Sequence, residues 1–153
     1  MAKEAKPGPE PKKPAPFIIW RPEYDLGIPL LDKQHLGIIA TINALYDAMS
    51  VGQGESALAA AIEMVSGYTV SHFGAEEAFH RDHAYPEADC HRKLHEEIAS
   101  ALPGVGRKSS WGNDPREFLN FLKKWFIDHI CRQDRAFRDF LRENEPGVLA
   151  AGS

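Results

Sequence analysis

Five of the seven histidines in this 153-residue chain fall on the apolar faces of helical stretches, and no other feature limits the possible folds as strongly. One histidine on an apolar face is usually a hydrogen-bonded core residue. Burying five imidazoles costs free energy unless each one finds a partner, so a shared site becomes the better explanation. These residues are His35, His72, His91, His95 and His129.

The stretches around these histidines repeat apolar residues at steps of three and four, as amphipathic helices do. We predict helices over residues 29–50, 56–83 and 86–102, a fourth helix capped by Asp114, and a short last helix over 133–143. A polar loop is expected before the fourth helix. The chain shows no strand pattern and no internal repeat. The sequence therefore predicts an all-α, up-down-up-down four-helix bundle with an N-terminal extended arm and a short C-terminal helix.

The ends of the chain differ in composition from its middle. Residues 1–16 contain five prolines and almost no large apolar side chains, which predicts a flexible tail. The extended arm begins at Phe17 with an apolar cluster. We expect one domain over residues 17–145 and a short C-terminal tail over 146–153.

Charge and hydropathy narrow the classes of partner. The net charge of -4 is spread without a basic stripe, so nucleic acid is not expected to bind. No apolar run approaches the roughly 20 residues that cross a membrane. The N-terminal residues lack the apolar core of a secretory signal, so we expect a cytoplasmic protein. Cys90 and Cys131 are the only cysteines, and a reducing compartment favours free, buried thiols.

Two pairs of candidate donors have a spacing that suits a shared site. His72 and Glu76 are four residues apart, and so are His91 and His95. Residues four apart on a helix project from the same face, so each pair points toward the bundle interior.

A third pair has a spacing that a regular α-helix does not support. His129 and Asp134 are five residues apart, which leaves them roughly 140° apart around the helix axis. If both side chains reach one site, the backbone between them must bend or widen a turn near residues 131–132.

The donor count bears on the metal. Five imidazoles and two carboxylates exceed the four ligands of a structural zinc. Imidazole and carboxylate are ordinary ligands of iron, and two iron ions accommodate this set of ligands better than a single zinc ion does. If each carboxylate bonds to both irons, and one further oxygen is shared between the irons, the two irons together have one bond fewer than two complete octahedra require. The missing bond predicts an open coordination position.

Four segments of the chain are similar in sequence and order to the motifs of the hemerythrin family. The resemblance extends roughly from Trp20 to Leu141. The segments are LDKQH at 31–35, HFGAEE at 72–77, YP at 85–86 with HRKLH at 91–95, and WFIDHI at 125–130 followed by Asp134.

The resemblance implies two non-haem irons bridged by an oxo or hydroxo group, with O2 binding reversibly at the open position of one iron. Three histidines would hold the first iron, two histidines the second, and two carboxylates would bridge them. In that order, these residues are His91, His95 and His129; His35 and His72; and Glu76 and Asp134. Only two carboxylates leave the site with a small positive charge, which disfavours high oxidation states.

Three residues depart from the family pattern or adjoin it. Phe126 stands where the family usually has leucine, and the resemblance implies that this side chain lines the O2 pocket. The alternative is that the ring packs beside Phe121 or Leu122 and leaves the pocket unchanged. His80 stands where the family often has methionine, and His83 lies near a helix end; we expect both at the rim, away from the metals.

The favoured function is reversible O2 binding as a carrier, store or sensor, without enzymatic activity. An open ferrous site could also bind peroxide or nitric oxide, so a di-iron enzyme that reduces either one is the alternative. A third possibility is an iron-handling or sensory module with a protein partner, whose identity the sequence leaves open. An acid-base group beside the open site would favour an enzyme, and the predicted inner faces supply no clear candidate.

Overall fold

The fold is built from α-helices in the part of the chain that this computed structural model describes, residues 15–102 and 114–151. The helices are α1 Pro29–Ser50, α2 Gly54–Asp82, α3 Ala88–Ala101, α4 Pro115–His129 and α5 Arg135–Asn144. Short 3₁₀ turns lie at Pro22–Tyr24 and Pro146–Val148, and the described residues contain no strand. These elements confirm the predicted all-α bundle. The expected tail up to residue 14, the loop over 103–113 and residues 152–153 lie outside the described part.

Local sequence explains where the helices begin and end. Proline occupies the first position of α1 and of α4, where its missing N–H breaks no hydrogen bond. Asp114 accepts a hydrogen bond of 2.9 Å from the backbone N–H of Arg116, which confirms the predicted cap of α4. After α1, Gly52 adopts a φ of +77°, a left-handed conformation that glycine tolerates best.

The helices pack in the order expected of a bundle. Helix α1 lies against α2 and α4, and α2 also contacts α3. Two apolar clusters fill the interior. Along α1, Leu31 belongs to the cluster with Phe137 and Leu141, whereas Ile38 belongs to the larger cluster at the other end. His35 lies between them, so a polar layer interrupts the core.

The extended arm and the C-terminal residues are held against the bundle. The Ile18 N–H donates to Asn43 Oδ1 and the Asn43 amide donates to the Ile18 carbonyl, both at 2.8 Å. The Ala150 N–H donates to the Gly27 carbonyl at 2.8 Å, so the chain after α5 returns to the arm. Among the described residues, no helix has the length and apolar character needed to span a membrane.

Both cysteines are free, as predicted, but the prediction that they are buried is wrong. Cys90 is exposed and Cys131 is half-buried. Each helical residue advances about 100°, so the residue before the inward-facing His91 points away from the core.

Candidate metal centre

All seven predicted donor residues are buried in the polar layer between the two apolar clusters, and the most exposed of them, His129, is only 6% exposed. Their donor atoms form two groups in which every atom lies within 4.8 Å of the others. The five-residue group consists of Glu76, His91, His95, His129 and Asp134, and the three-residue group of His35, His72 and Asp134. Asp134 belongs to both.

The spacing of the imidazole nitrogens distinguishes between coordination geometries. Bonds of about 2.1 Å place neighbouring donors about 3.0 Å apart in an octahedron and about 3.4 Å apart in a tetrahedron. The observed Nε2–Nε2 distances are 2.9 Å for His35 and His72, 3.0 Å for His91 and His129, and 3.1 Å for His95 and His129. The donor spacing therefore fits an octahedral ion better than tetrahedral zinc.

A widened helical turn brings Asp134 into both groups. Residues Ile130–Asp134 form a π-helix directly after α4, which confirms the widening predicted from the five-residue spacing. A π-turn closes hydrogen bonds between residues five apart, so Asp134 comes to lie beside His129. Its Oδ1 is 3.1 Å from His129 Nε2, and its Oδ2 is 3.2 Å from His35 Nε2. The aspartate thus turns one oxygen toward each group.

Glu76 lies between the groups in a different way. Its Oε2 is 3.2 Å from His95 Nε2, 3.5 Å from His91 Nε2 and 3.8 Å from His72 Nε2. Its Oε1 is turned toward His80, at 3.8 Å from Nε2 of that ring. One carboxylate oxygen therefore faces histidines of both groups.

The carboxylates are buried without hydrogen-bond partners that satisfy them. Both oxygens of Glu76 and of Asp134 lack such a partner, and so does Nδ1 of His35. An unpaired carboxylate in a protein interior is costly, and a bound cation offsets that cost. The donor set therefore fits bound cations.

Two neighbouring side chains orient the imidazoles. Nδ1 of His72 is 3.0 Å from Gln34 Oε1, and Nδ1 of His95 is 3.0 Å from Glu77 Oε1. An acceptor at Nδ1 holds the ring proton there and leaves the Nε2 lone pair free for a metal. Neither Gln34 nor Glu77 was predicted to belong to the site, although each one directly adjoins a candidate donor in the chain.

The protonation of the site also suits metal binding. Burial lowers the pKa of His72 to about 3 and that of His95 to about 2, so both rings are neutral near pH 7. Burial, helped by the charge of Asp134, raises the pKa of Glu76 well above its ordinary value. Burial would also raise the pKa of Asp134, but His129 and the other nearby imidazoles hold that pKa well below the ordinary value. The two carboxyl groups thus differ in how readily they ionise, and a bound cation would favour the ionised form of both.

One of the two histidines expected at the rim lies in the interior instead. His80 is only 1% exposed, so the prediction is wrong for this residue. The four-residue step after Glu76 keeps His80 on the inner face of α2, so the sequence itself carries the signal that this residue faces the interior. His83 follows the end of α2 and stays near the surface, with Nδ1 at 3.0 Å from Glu145 Oε2.

Two aromatic residues of α4 cover different parts of the centre. The Phe126 ring is 2% exposed and meets the His35 ring edge to face, with the centroids 5.6 Å apart. The Trp125 ring stacks on His129 at 4.8 Å and also lines a cavity of about 430 Å³ between α3 and α4. Phe126 therefore borders the three-residue group, and Trp125 borders the five-residue group.

Comparison with known proteins gives this arrangement a family. The model of the hemerythrin HHE cation binding domain matches residues 26–141. The chain belongs to the hemerythrin family. This match confirms the resemblance found in the sequence motifs, and the matched residues include all seven candidate donors of this hemerythrin domain.

Relatives of this hemerythrin-family chain support the same conclusion. A bacteriohemerythrin of Pseudomonas paraeruginosa is 31% identical over 128 residues, which cover 83% of each chain. A bacteriohemerythrin of Stenotrophomonas maltophilia is 30% identical over 140 residues, covering 86% of this chain and 91% of the relative. A solved structure of a leucine-to-phenylalanine mutant aligns with a TM-score of 0.72 at 22% identity, over 82% of this chain and 97% of that one. The structural likeness supports the fold.

Proposed function

We propose that this protein binds O2 reversibly at a non-haem di-iron centre and acts as an oxygen carrier, store or sensor rather than as an enzyme. The observation that carries this proposal is the pair of donor groups that share Asp134, with imidazole nitrogens spaced as octahedral ligands. The centre would lie in a single domain over residues 17–145.

The two donor groups divide the proposed ligands between two ions. A pair of ferrous ions with a bridging oxo or hydroxo group would supply the two electrons on which reversible O2 binding depends. In our proposal, three histidines would hold one ion, two histidines would hold the other, and two carboxylates would bridge them. These residues are His91, His95 and His129; His35 and His72; and Glu76 and Asp134.

The three-residue group would leave the open position in this arrangement, because it contains fewer donor residues. Phe126 borders this group through its contact with His35, so we propose that its ring forms one wall of the O2 pocket. A large aromatic side chain in a close-packed core moves little, and it would slow the arrival of water and anions. The contact with His35 favours this role over one in which the ring only fills the core.

The donor chemistry supports binding over oxidation. Five imidazoles that are neutral when they bind metal add no negative charge, and only two carboxylates offset the charge of the ions. High oxidation states of iron need more anionic ligands than this site offers. We therefore expect O2 to be released unchanged.

An absorption spectrum tests the proposal. The protein is loaded with iron, reduced, and measured under nitrogen, in air, and again under vacuum. We expect about two irons per chain by metal analysis, and a visible band that forms in air and disappears under vacuum. Zinc-loaded protein is the control and should show no band. Tightly held zinc at one ion per chain, or a band that bleaches irreversibly, would contradict the proposal.

A further inference from the structure

His80 is a buried histidine that the proposed di-iron centre does not use. Its ring is enclosed by three other rings, with centroids 5.0 Å away at Tyr85, 4.7 Å at His91 and 4.4 Å at Phe137. Neither of its ring nitrogens has a hydrogen-bond partner. Buried polar atoms in native proteins are nearly always paired, so this unpaired ring calls for an explanation.

The carboxylate of Glu76 faces this ring. Glu76 Oε1 is 3.8 Å from His80 Nε2, and this oxygen is itself buried and unpaired. The distance exceeds a normal N–H···O hydrogen bond by roughly 0.6 Å, which a small rotation of either side chain would close. The two atoms thus complement each other in position and in chemistry.

A hydrogen bond from this ring to the carboxylate requires one particular tautomer of the imidazole. A neutral imidazole carries one N–H donor, and an ionised carboxylate only accepts. The tautomer with the proton on Nε2 can therefore donate to Glu76, and the other nitrogen is left as an acceptor.

We propose that His80 is a positioning residue whose Nε2–H donates to Oε1 of Glu76 and fixes the rotation of this carboxylate between the two donor groups. This inference rests on the proposed di-metal centre. A carboxylate whose orientation is already set loses less freedom when it binds metal, and such supporting hydrogen bonds typically change metal affinity by about 10–100-fold. A methionine at this position would have no N–H to donate, so it would remove the contact.

Cobalt binding tests the inference without relying on O2. Co²⁺ is titrated against a competing chelator into the full-length parent protein and into the variants His80→Met and His80→Gln. We expect His80→Met to weaken Co²⁺ binding by about 10–100-fold. His80→Gln should recover most of the affinity, because the glutamine amide also donates a hydrogen bond. His83→Met, at a half-buried histidine just beyond the same helix, is the matched control and should bind as the parent does.

Thermal unfolding of the metal-free proteins separates positioning from packing. Because Nδ1 of His80 stays unpaired even when Nε2–H donates to Glu76, exchanging the ring for methionine should leave the melting temperature of the metal-free protein close to that of the parent. A purely structural residue would instead lower both stability and affinity, and that result would overturn the inference. Unchanged affinity in His80→Met, or His80→Gln binding no better than His80→Met, would overturn it as well.

The number of Co²⁺ ions that the parent protein binds distinguishes failure of this inference from failure of the proposed di-iron centre. If the parent binds fewer than two Co²⁺ per chain, the proposed centre is wrong and the inference falls with it. If the parent binds two and His80→Met binds them equally well, the inference alone is wrong.

Discussion

The five-residue group and the three-residue group lie side by side, share Asp134, and differ in how many donor residues they contain. The five-residue group draws donors from α2, α3, α4 and the π-turn, and Trp125 stacks on its edge. The three-residue group draws on α1, α2 and the π-turn, and the Phe126 ring borders it. The bundle thus offers five donor residues at one position and three at the other, with Asp134 common to both. In the proposed centre the first position would hold a metal, and the second would hold a metal and a small ligand.

Removing the shared donor should have the largest effect, because it acts on both groups. We expect Asp134→Ala to lose most iron from both positions, as measured by metal analysis after gel filtration. Saturating metal at a thousand times its dissociation constant adds about 4 kcal/mol of stability, which is about 10–20 °C in melting temperature for a domain of this size. The variant should lose this increment. Asp128→Ala, at an exposed residue of α4, is the control, and equal iron retention in both variants would refute a shared donor.

Removing one histidine from each group should expose their difference. His72→Ala leaves one imidazole in the three-residue group, so we expect about one iron per chain after brief chelator treatment. His95→Ala leaves two imidazoles in the five-residue group and should retain more iron under the same treatment. Equal losses would show that the groups are equivalent and would remove the basis for an open position.

The metal-free protein should lose stability in acid. Burial lowers the pKa of His72 and of His80 to about 3 and that of His95 to about 2, whereas histidines in an unfolded chain have a pKa near 6.5. Between these values the unfolded chain binds more protons, so the free energy of unfolding falls as the pH drops from about 6.5 toward 3. The raised pKa of Glu76 opposes this trend above about 4.5 but offsets only one of the three protons.

Urea unfolding of the metal-free protein at pH 7 and pH 5 measures this dependence. We expect lower stability at pH 5, and a shallower slope in His80→Met because one buried imidazole is gone. Stability that is constant or higher at pH 5 would show that these histidines are protonated in the folded protein.

The smallest expected effect concerns the access of small ligands to the three-residue group. Phe126→Leu should speed azide binding to the oxidised, iron-loaded protein by a few-fold and hasten loss of the air-formed colour, because the smaller side chain opens the pocket. Phe118→Leu, a like substitution about two turns earlier on α4, controls for general loosening of the core. Identical azide rates in Phe126→Leu and the parent would mean that Phe126 only fills space.

Much of the fold and of the candidate site could be predicted because both depend on helical periodicity. The first helix has the predicted bounds, Pro29–Ser50. Four-residue steps brought His72 to Glu76 and His91 to His95, and the mismatch between His129 and Asp134 predicted the widened turn. The observed starts of α2 and α3 differ from the predicted starts by two residues, because weak capping signals left the first turn of each helix undetermined.

What the sequence did not predict depends on contacts between distant elements. The four-residue step from Glu76 places His80 on the inner face of α2, but the enclosure of its ring also depends on Phe137 of α5, which lies far along the chain. The contacts of Gln34 and Glu77 depend on side-chain conformations across two helices, which periodicity does not describe. Partners at large sequence separation were therefore the main source of error.

The π-turn at Ile130–Asp134 also has a genetic consequence. Loss of one codon among residues 130–133 would let the backbone continue as a regular α-helix from α4 into α5. The aspartate would then follow His129 by four positions instead of five. Phe137 and Leu141 would keep their orientation around the helix axis relative to the aspartate. A small in-frame deletion of this kind could be absorbed by straightening one helix, so natural variation in length is more tolerable at this turn than elsewhere in the bundle core.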